Sequence, residues 1–150
     1  MKKIESIVWL IAILGIFLKF FHLPGSVILI TLALSILATF YYLFSFALFN
    51  DIKLRDIAIK ESYRNINAKR IIVAVGLGIA IALIITGSLF NLLHFPGKSV
   101  MLLTGLIAMI IIYVVAINSY FRDKNDFYKR IFKRPVIYTV LLLMLISYIL

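Results

Sequence analysis

Long apolar runs separated by short basic stretches set the pattern of this chain. Five runs can be read, roughly Ile4–Phe21, Ser26–Phe49, Ile71–Leu93, Ser99–Ile117 and Pro135–Leu150. A helix rises about 1.5 Å per residue and the bilayer hydrocarbon is about 30 Å thick, so about 20 residues cross it. The middle three runs meet that length. The first is a little short, but Lys19 can snorkel and His22 can sit in the headgroup layer. The last is read as a fifth span, with a re-entrant or interfacial tail as the alternative. Lys2 and Lys3 before the first run resemble the start of a signal peptide, yet that run ends in Lys-Phe-Phe-His rather than in a small-residue cleavage site. The pattern predicts an all-α membrane protein with about five spans.

A short motif recurs inside this pattern. Its first copy runs from Gly15 through Lys19 and His22 to Pro24 and Gly25, and its second from Gly87 through Asn91 and His94 to Pro96 and Gly97. Glycine, histidine, proline and glycine repeat at one constant offset of 72 residues. Each copy lies between two apolar runs, so the chain reads as duplicated transmembrane helical hairpins in one integral membrane domain, 1–150. The first repeat covers about 1–55 and the second about 70–127, with an extra C-terminal span at 135–150. Proline disfavours a helical residue before it, which stops the outgoing helix near His22 or His94. Pro-Gly suits the centre of a type II turn, and Ser26 and Ser99 are expected to cap the returning helices.

That turn chemistry does not explain the histidines. Three readings stay open: an interfacial ring bonded to a carbonyl or water, a proton-responsive group, or a shared metal site. Two histidines without carboxylate or thiolate companions make a poor zinc site, and no metal or cofactor is expected. Gly15 and Gly87 precede the histidines by two turns on the same face and suit close helix packing. The third run adds Ala74, Gly78, Ala82 and Thr86, each four apart, the small-residue spacing that lets membrane helices approach.

Composition agrees with the bilayer as solvent: 64% of the residues are hydrophobic and the mean hydropathy is +1.12. There is no cysteine, which excludes disulfides and thiolate chemistry. The net charge of +10 would suggest nucleic acid in a soluble protein. Here its placement argues for topology instead. Fourteen of the sixteen basic residues lie at the amino terminus or within Asn50–Arg70 and Asn118–Arg134; the other two are Lys19 and Lys98. The positive-inside rule puts those segments and the amino terminus in the cytoplasm, both His-x-Pro-Gly turns outside, and the carboxyl terminus outside after a fifth span. The two hairpins are then parallel repeats.

The polar segments are expected to be helical extensions or amphipathic helices lying on anionic lipid headgroups. Leu54, Ile57, Ala58 and Ile66 recur at helical spacing among basic residues. Phe121, Phe127, Tyr128, Ile131 and Phe132 do the same.

The residues Gly15, Lys19, His22, Pro24 and Gly25, then Gly87, His94, Pro96 and Gly97, resemble the amino-terminal hairpin of the GldL family of gliding-motility and type IX secretion proteins of the Bacteroidota. The resemblance implies a bacterial inner-membrane protein working with a membrane partner. In that family the motor role is thought to need a carboxylate in the second helix of the hairpin, and this chain lacks it: neither Ser26–Phe49 nor Ser99–Ile117 holds an Asp or Glu. All six acids, Glu5, Asp51, Asp56, Glu61, Asp123 and Asp126, fall on the expected cytoplasmic side.

These readings converge on a non-enzymatic structural or accessory subunit with a membrane-protein partner or a homo-oligomeric state. The alternative is a proton or ion conductor, or stator-like component, using Lys19, His22 and His94. An enzyme is not expected, because no acid/base or nucleophilic group converges with a partner at either face.

Overall fold

The computed structural model describes residues 1–64, 66–123, 127–129, 131 and 132. Four long helices dominate: α1 (Lys2–Phe20), α2 (Ser26–Phe49), α3 (Ala68–Leu92) and α4 (Lys98–Asp123). Among the described residues there is no strand. The helices pack in chain order, α1 on α2, α2 on α3 and α3 on α4. The central position belongs to α3. Its apolar window is 61% buried within the protein, against 28% for α2 and 17% for α4. The row Val100, Leu103, Ile107, Ile110 and Val114 on α4 is more than half exposed at each position. Spacings of three and four put those side chains on one face, and an aliphatic face of that length is stable only against lipid or another apolar helix.

Among the described residues three helices, α2, α3 and α4, are long and apolar enough to cross a membrane. The expected five spans are therefore not supported. The first run does form a helix, but Lys3, Glu5 and Lys19 interrupt it. The uncharged stretch between Glu5 and Lys19 is about 20 Å long as a helix, short of the roughly 30 Å needed. The expected span at 135–150 lies outside the described residues.

The segment after α2 also departs from expectation. It is not an amphipathic helix but two short 3-10 turns, Leu54–Asp56 and Lys60–Tyr63. Lys53 and Ile59 take extended backbone ahead of each turn. Leu54 and Ile57 are three apart, a spacing that a 3-10 turn satisfies as well as an α-helix does. Tyr63 then fixes the path: its hydroxyl donates to the Ile57 carbonyl at 2.6 Å, and its ring stacks on Phe46 with centroids 6.3 Å apart.

The aromatic positions in and after the last turn of α4 divide. Phe121 is 74% exposed, as a lipid-facing residue would be. Phe127, Tyr128 and Ile131 are instead fully buried, in the same core as Trp9, Tyr41 and Val73. The Arg70 guanidinium lies 4.6 Å from the centre of the Phe127 ring, and Phe132 stacks on Tyr113 at 5.6 Å. Burial against the bundle outweighs lipid contact here because the bundle offers a cation and an aromatic partner.

Candidate functional site

The repeated motif closes two helices in the same way. At the end of α1, the Leu23 amide donates to the Leu18 carbonyl at 3.0 Å and the His22 amide to the Lys19 carbonyl at 2.9 Å. At the end of α3, the Phe95 amide donates to Phe90 at 2.8 Å and the His94 amide to Asn91 at 3.2 Å. This six-to-one and five-to-two pairing is the Schellman motif, which needs a left-handed residue just past the helix. His22 and His94 are those residues, with φ of 54° and 55°. Phe90 and Phe95 add the hydrophobic contact that accompanies the motif, their rings edge to face at 5.7 Å.

Glycine is the usual occupant of this position, and histidine is among the few other residues enriched there. The turn geometry therefore accounts for a histidine that proline and glycine left unexplained. The end of α2 offers an independent parallel: Asp51 takes φ 60°, and the Ile52 amide reaches back to the Ala47 carbonyl at 2.9 Å.

Pro24-Gly25 and Pro96-Gly97 then turn the chain, with Gly25 at φ 84° and Gly97 at φ 87°. The carbonyls of Gly25 and Gly97 accept the first helical bonds of α2 and α4, from Leu29 and Met101, both at 3.1 Å. Ser26 and Ser99 are not the caps they were expected to be. Both lie inside their helices, and Gly25, not Ser26, is the N-cap of α2, with no side-chain cap bond. A left-handed glycine finishing the turn leaves Ser26 one residue, and Ser99 two residues, too late to cap.

Lys19 joins the hairpins. Its Nζ donates to the carbonyl of Leu92, in the last turn of α3. The last four carbonyls of a helix lack helical partners. In α3 the carbonyl of Leu89 receives the Leu93 amide, that of Phe90 the Phe95 amide and that of Asn91 the His94 amide. Leu92 is the fourth, and a lysine from the other hairpin serves it. A cation at a helix C-terminus also complements the helix dipole. The corresponding position of the second repeat, Asn91, is buried. His22 and His94 are both exposed.

The glycines lie where helices come closest. A Cβ on Gly15 would sit 2.9 Å from Ile30 Cγ1, and one on Gly87 would sit 2.9 Å from Leu102 Cγ. Each glycine and its neighbour in the first hairpin is offset by 72 from those of the second, so both hairpins cross alike. At Gly78 the crossing is tighter still, between α2 and α3: an added Cβ would lie 2.1 Å from Ser45 Cβ and 2.7 Å from the Tyr41 carbonyl oxygen. Ala74 and Ala82 are buried on the same stripe, while Thr86 is half-buried and donates back to the Ala82 carbonyl at 2.8 Å. Around Ala82 and Thr86 the helices part into a cleft of about 340 Å³ shared with Ala38 and Thr39.

Residues 74–130 match the family model for the GldL N-terminal domain. Over that stretch the chain is similar to the GldL N-terminal domain. The matched stretch holds the small-residue stripe, the His94-Phe95-Pro96-Gly97 turn and α4. No curated protein and no solved structure matches the chain.

One polar network sits outside the GldL-like stretch and was not singled out in the sequence. Glu5 in α1 is only 2% exposed. The Tyr41 hydroxyl donates to Glu5 Oε1 at 2.5 Å, and Trp9 Nε1 approaches the Tyr41 oxygen at 3.4 Å. The GldL-like hairpin carries Leu77 and Tyr113 at the positions offset by 72 from Glu5 and Tyr41. Without a carboxylate there, the buried Tyr113 hydroxyl has no hydrogen-bond partner among the described residues. A signal did exist: Glu5 and Tyr41 are almost equally far from the Pro24-Gly25 turn, which sets them at one depth in an antiparallel hairpin.

Proposed function

We propose that this GldL-like membrane protein is a duplicated-hairpin subunit of the bacterial inner membrane, acting as a non-enzymatic structural or accessory component of a membrane complex. The likeness to GldL points to gliding motility or type IX secretion as the process, and to a membrane-protein partner or a second copy of the chain as the company. The observation that carries the reading is the use made of the motif residues. His22 and His94 hold left-handed helix ends, and Lys19 closes the end of α3. These are architectural tasks. The exposed face of α4 and the cleft at Ala82 and Thr86 leave apolar surface for lipid or for packing against another helix.

Gentle purification of a tagged copy from native membranes, followed by native mass spectrometry, tests this. The expected result is a stoichiometric foreign subunit or a homo-oligomer that survives replacement of both histidines by glycine. Recovery of a monomer alone would count against it.

A proton or ion conductor using Lys19, His22 and His94 remains the second reading, and the buried Glu5 with its Tyr41 donor adds a further candidate group, since ionisable groups buried in membrane bundles often mark ion paths. Proton flux into liposomes containing the chain, abolished by Glu5→Gln, would establish it. Absence of flux from the unaltered chain would remove it.

A further inference from the structure

At the basic end of the bundle, α3 and α4 enclose a cleft of about 320 Å³. Its lining is ordered by depth. Lys69 in the first turn of α3 and Arg122 in the last turn of α4 form the rim. One turn deeper on α4 are Asn118 and Ser119, and deeper again are Val115 and, on α3, Ile72. The spacings 115, 118, 119 and 122 on α4, and 69 and 72 on α3, put each set on one helix face. From rim to floor the cleft runs cationic, then hydrogen-bonding, then apolar.

We propose that this cleft binds one anionic phospholipid. Its phosphate would sit between Lys69 and Arg122, its glycerol and ester oxygens at Asn118 and Ser119, and an acyl chain along Ile72 and Val115. Four observations support it. First, among the described residues neither Lys69 nor Arg122 forms an ion pair. The neighbouring Arg70 is already engaged over the Phe127 ring, which shows the alternative use of a cation at this end. Second, the α3 N-terminus adds positive potential beside Lys69. Third, Ile72 is 64% exposed and Val115 44% exposed, so one side of the apolar floor opens to the bilayer, while the buried Val73 closes it against the core. Fourth, a free phosphate would use the rim alone and leave the ordered polar and apolar levels below it without a role. The inference needs only the membrane reading, and it stands whether or not the accessory role holds.

The test uses the full chain in a neutral detergent, titrated with phosphatidylglycerol or phosphatidylcholine and read by native mass spectrometry. The expected result is one retained phosphatidylglycerol in clear preference to phosphatidylcholine. The double variant Lys69→Gln, Arg122→Gln should lower that preference by roughly tenfold or more, from the attraction of two basic residues. Lys69→Arg with Arg122→Lys should restore most of it. A control pair with the same charge change, Lys60→Gln with Arg64→Gln, should leave it intact. Equal loss in the control pair would overturn the proposal in favour of diffuse surface charge. Equal retention of the two lipids by the unaltered chain would also overturn it, as would full displacement of the lipid by millimolar inorganic phosphate. Far-ultraviolet circular dichroism on every variant separates lost binding from lost folding, and the charge-conserving pair keeps the outcome decisive if the glutamine pair unfolds.

Discussion

A histidine that holds φ near +55° and a histidine that moves protons respond differently to substitution. Glycine adopts the left-handed region without the Cβ penalty of about 1–2 kcal/mol that other residues meet there, though it loses more chain entropy on folding. His22→Gly and His94→Gly should therefore leave stability in mixed micelles within about 1 kcal/mol of the parent. His22→Val and His94→Val should each lose about 1–2 kcal/mol. Denaturation in a graded series of sodium dodecyl sulfate reads both, and a glycine variant as damaged as the valine variant would show that the imidazole itself matters. Gly78 gives the second residue-scale test. Gly78→Ala places a Cβ 2.1 Å from Ser45 and should cost about 1–3 kcal/mol. Ser45→Gly in the same chain should recover only part of that, because the Tyr41 carbonyl oxygen 2.7 Å away is backbone and remains. Full recovery would place the strain in the side chain alone. The sequence showed that glycine and histidine recur. It did not show the sign of φ at the histidines, since position relative to the last helical carbonyl decides it, and that boundary is unreadable to within a residue. The misplaced capping serines have the same origin.

At the scale of elements, apolar runs and the Pro-Gly breaks placed the helices well, because a long uninterrupted apolar run in a bilayer has no other way to satisfy its backbone. The segments between hairpins were harder. Helical spacing of Leu54, Ile57, Ala58 and Ile66 is a weak signal when Tyr63 can reach both Ile57 and Phe46. The burial of Phe127 depends on Arg70, almost sixty residues earlier, and no local pattern records such a pairing. The tie between hairpins is likewise non-local, yet it yields a sharp expectation. Lys19→Met leaves the Leu92 carbonyl without its donor and removes a cation from the end of α3. The loss should be about 1.5–3 kcal/mol, as for a hydrogen bond involving a charged group. Lys19→Arg should retain a large share. Unfolding of Lys19→Met indistinguishable from that of the parent would mean that the bond contributes nothing in micelles.

For the whole molecule the issue is which ends face which side, and three spans suffice to set most of it. With α2, α3 and α4 crossing in turn, Leu23 before α2 and Phe95 before α4 must share one side, and the segment between α2 and α3 the other. The position of the amino terminus then rests on α1, whose own apolarity is insufficient. Its partners change the balance. Gly15 lets α1 lie close against Ile30 of α2, Tyr41 of α2 bonds Glu5, and Leu92 of α3 accepts from Lys19. Two of the charges that weaken α1 as a span, Glu5 and Lys19, are thus engaged by its neighbours, and α1 should lie antiparallel along the full length of α2. Because the chain has no cysteine, single cysteines can report this with a membrane-impermeant maleimide on spheroplasts. Leu23→Cys and Phe95→Cys should both react from outside, where the distribution of basic residues puts the turns. Lys3→Cys and Ser62→Cys should react only after permeabilisation. Leu23→Cys and Phe95→Cys reacting from opposite sides would break the parallel arrangement of the hairpins. Lys3→Cys reacting from outside would show that α1 folds back at the turn end without crossing, and the contacts of Glu5 and Lys19 would then need a different register.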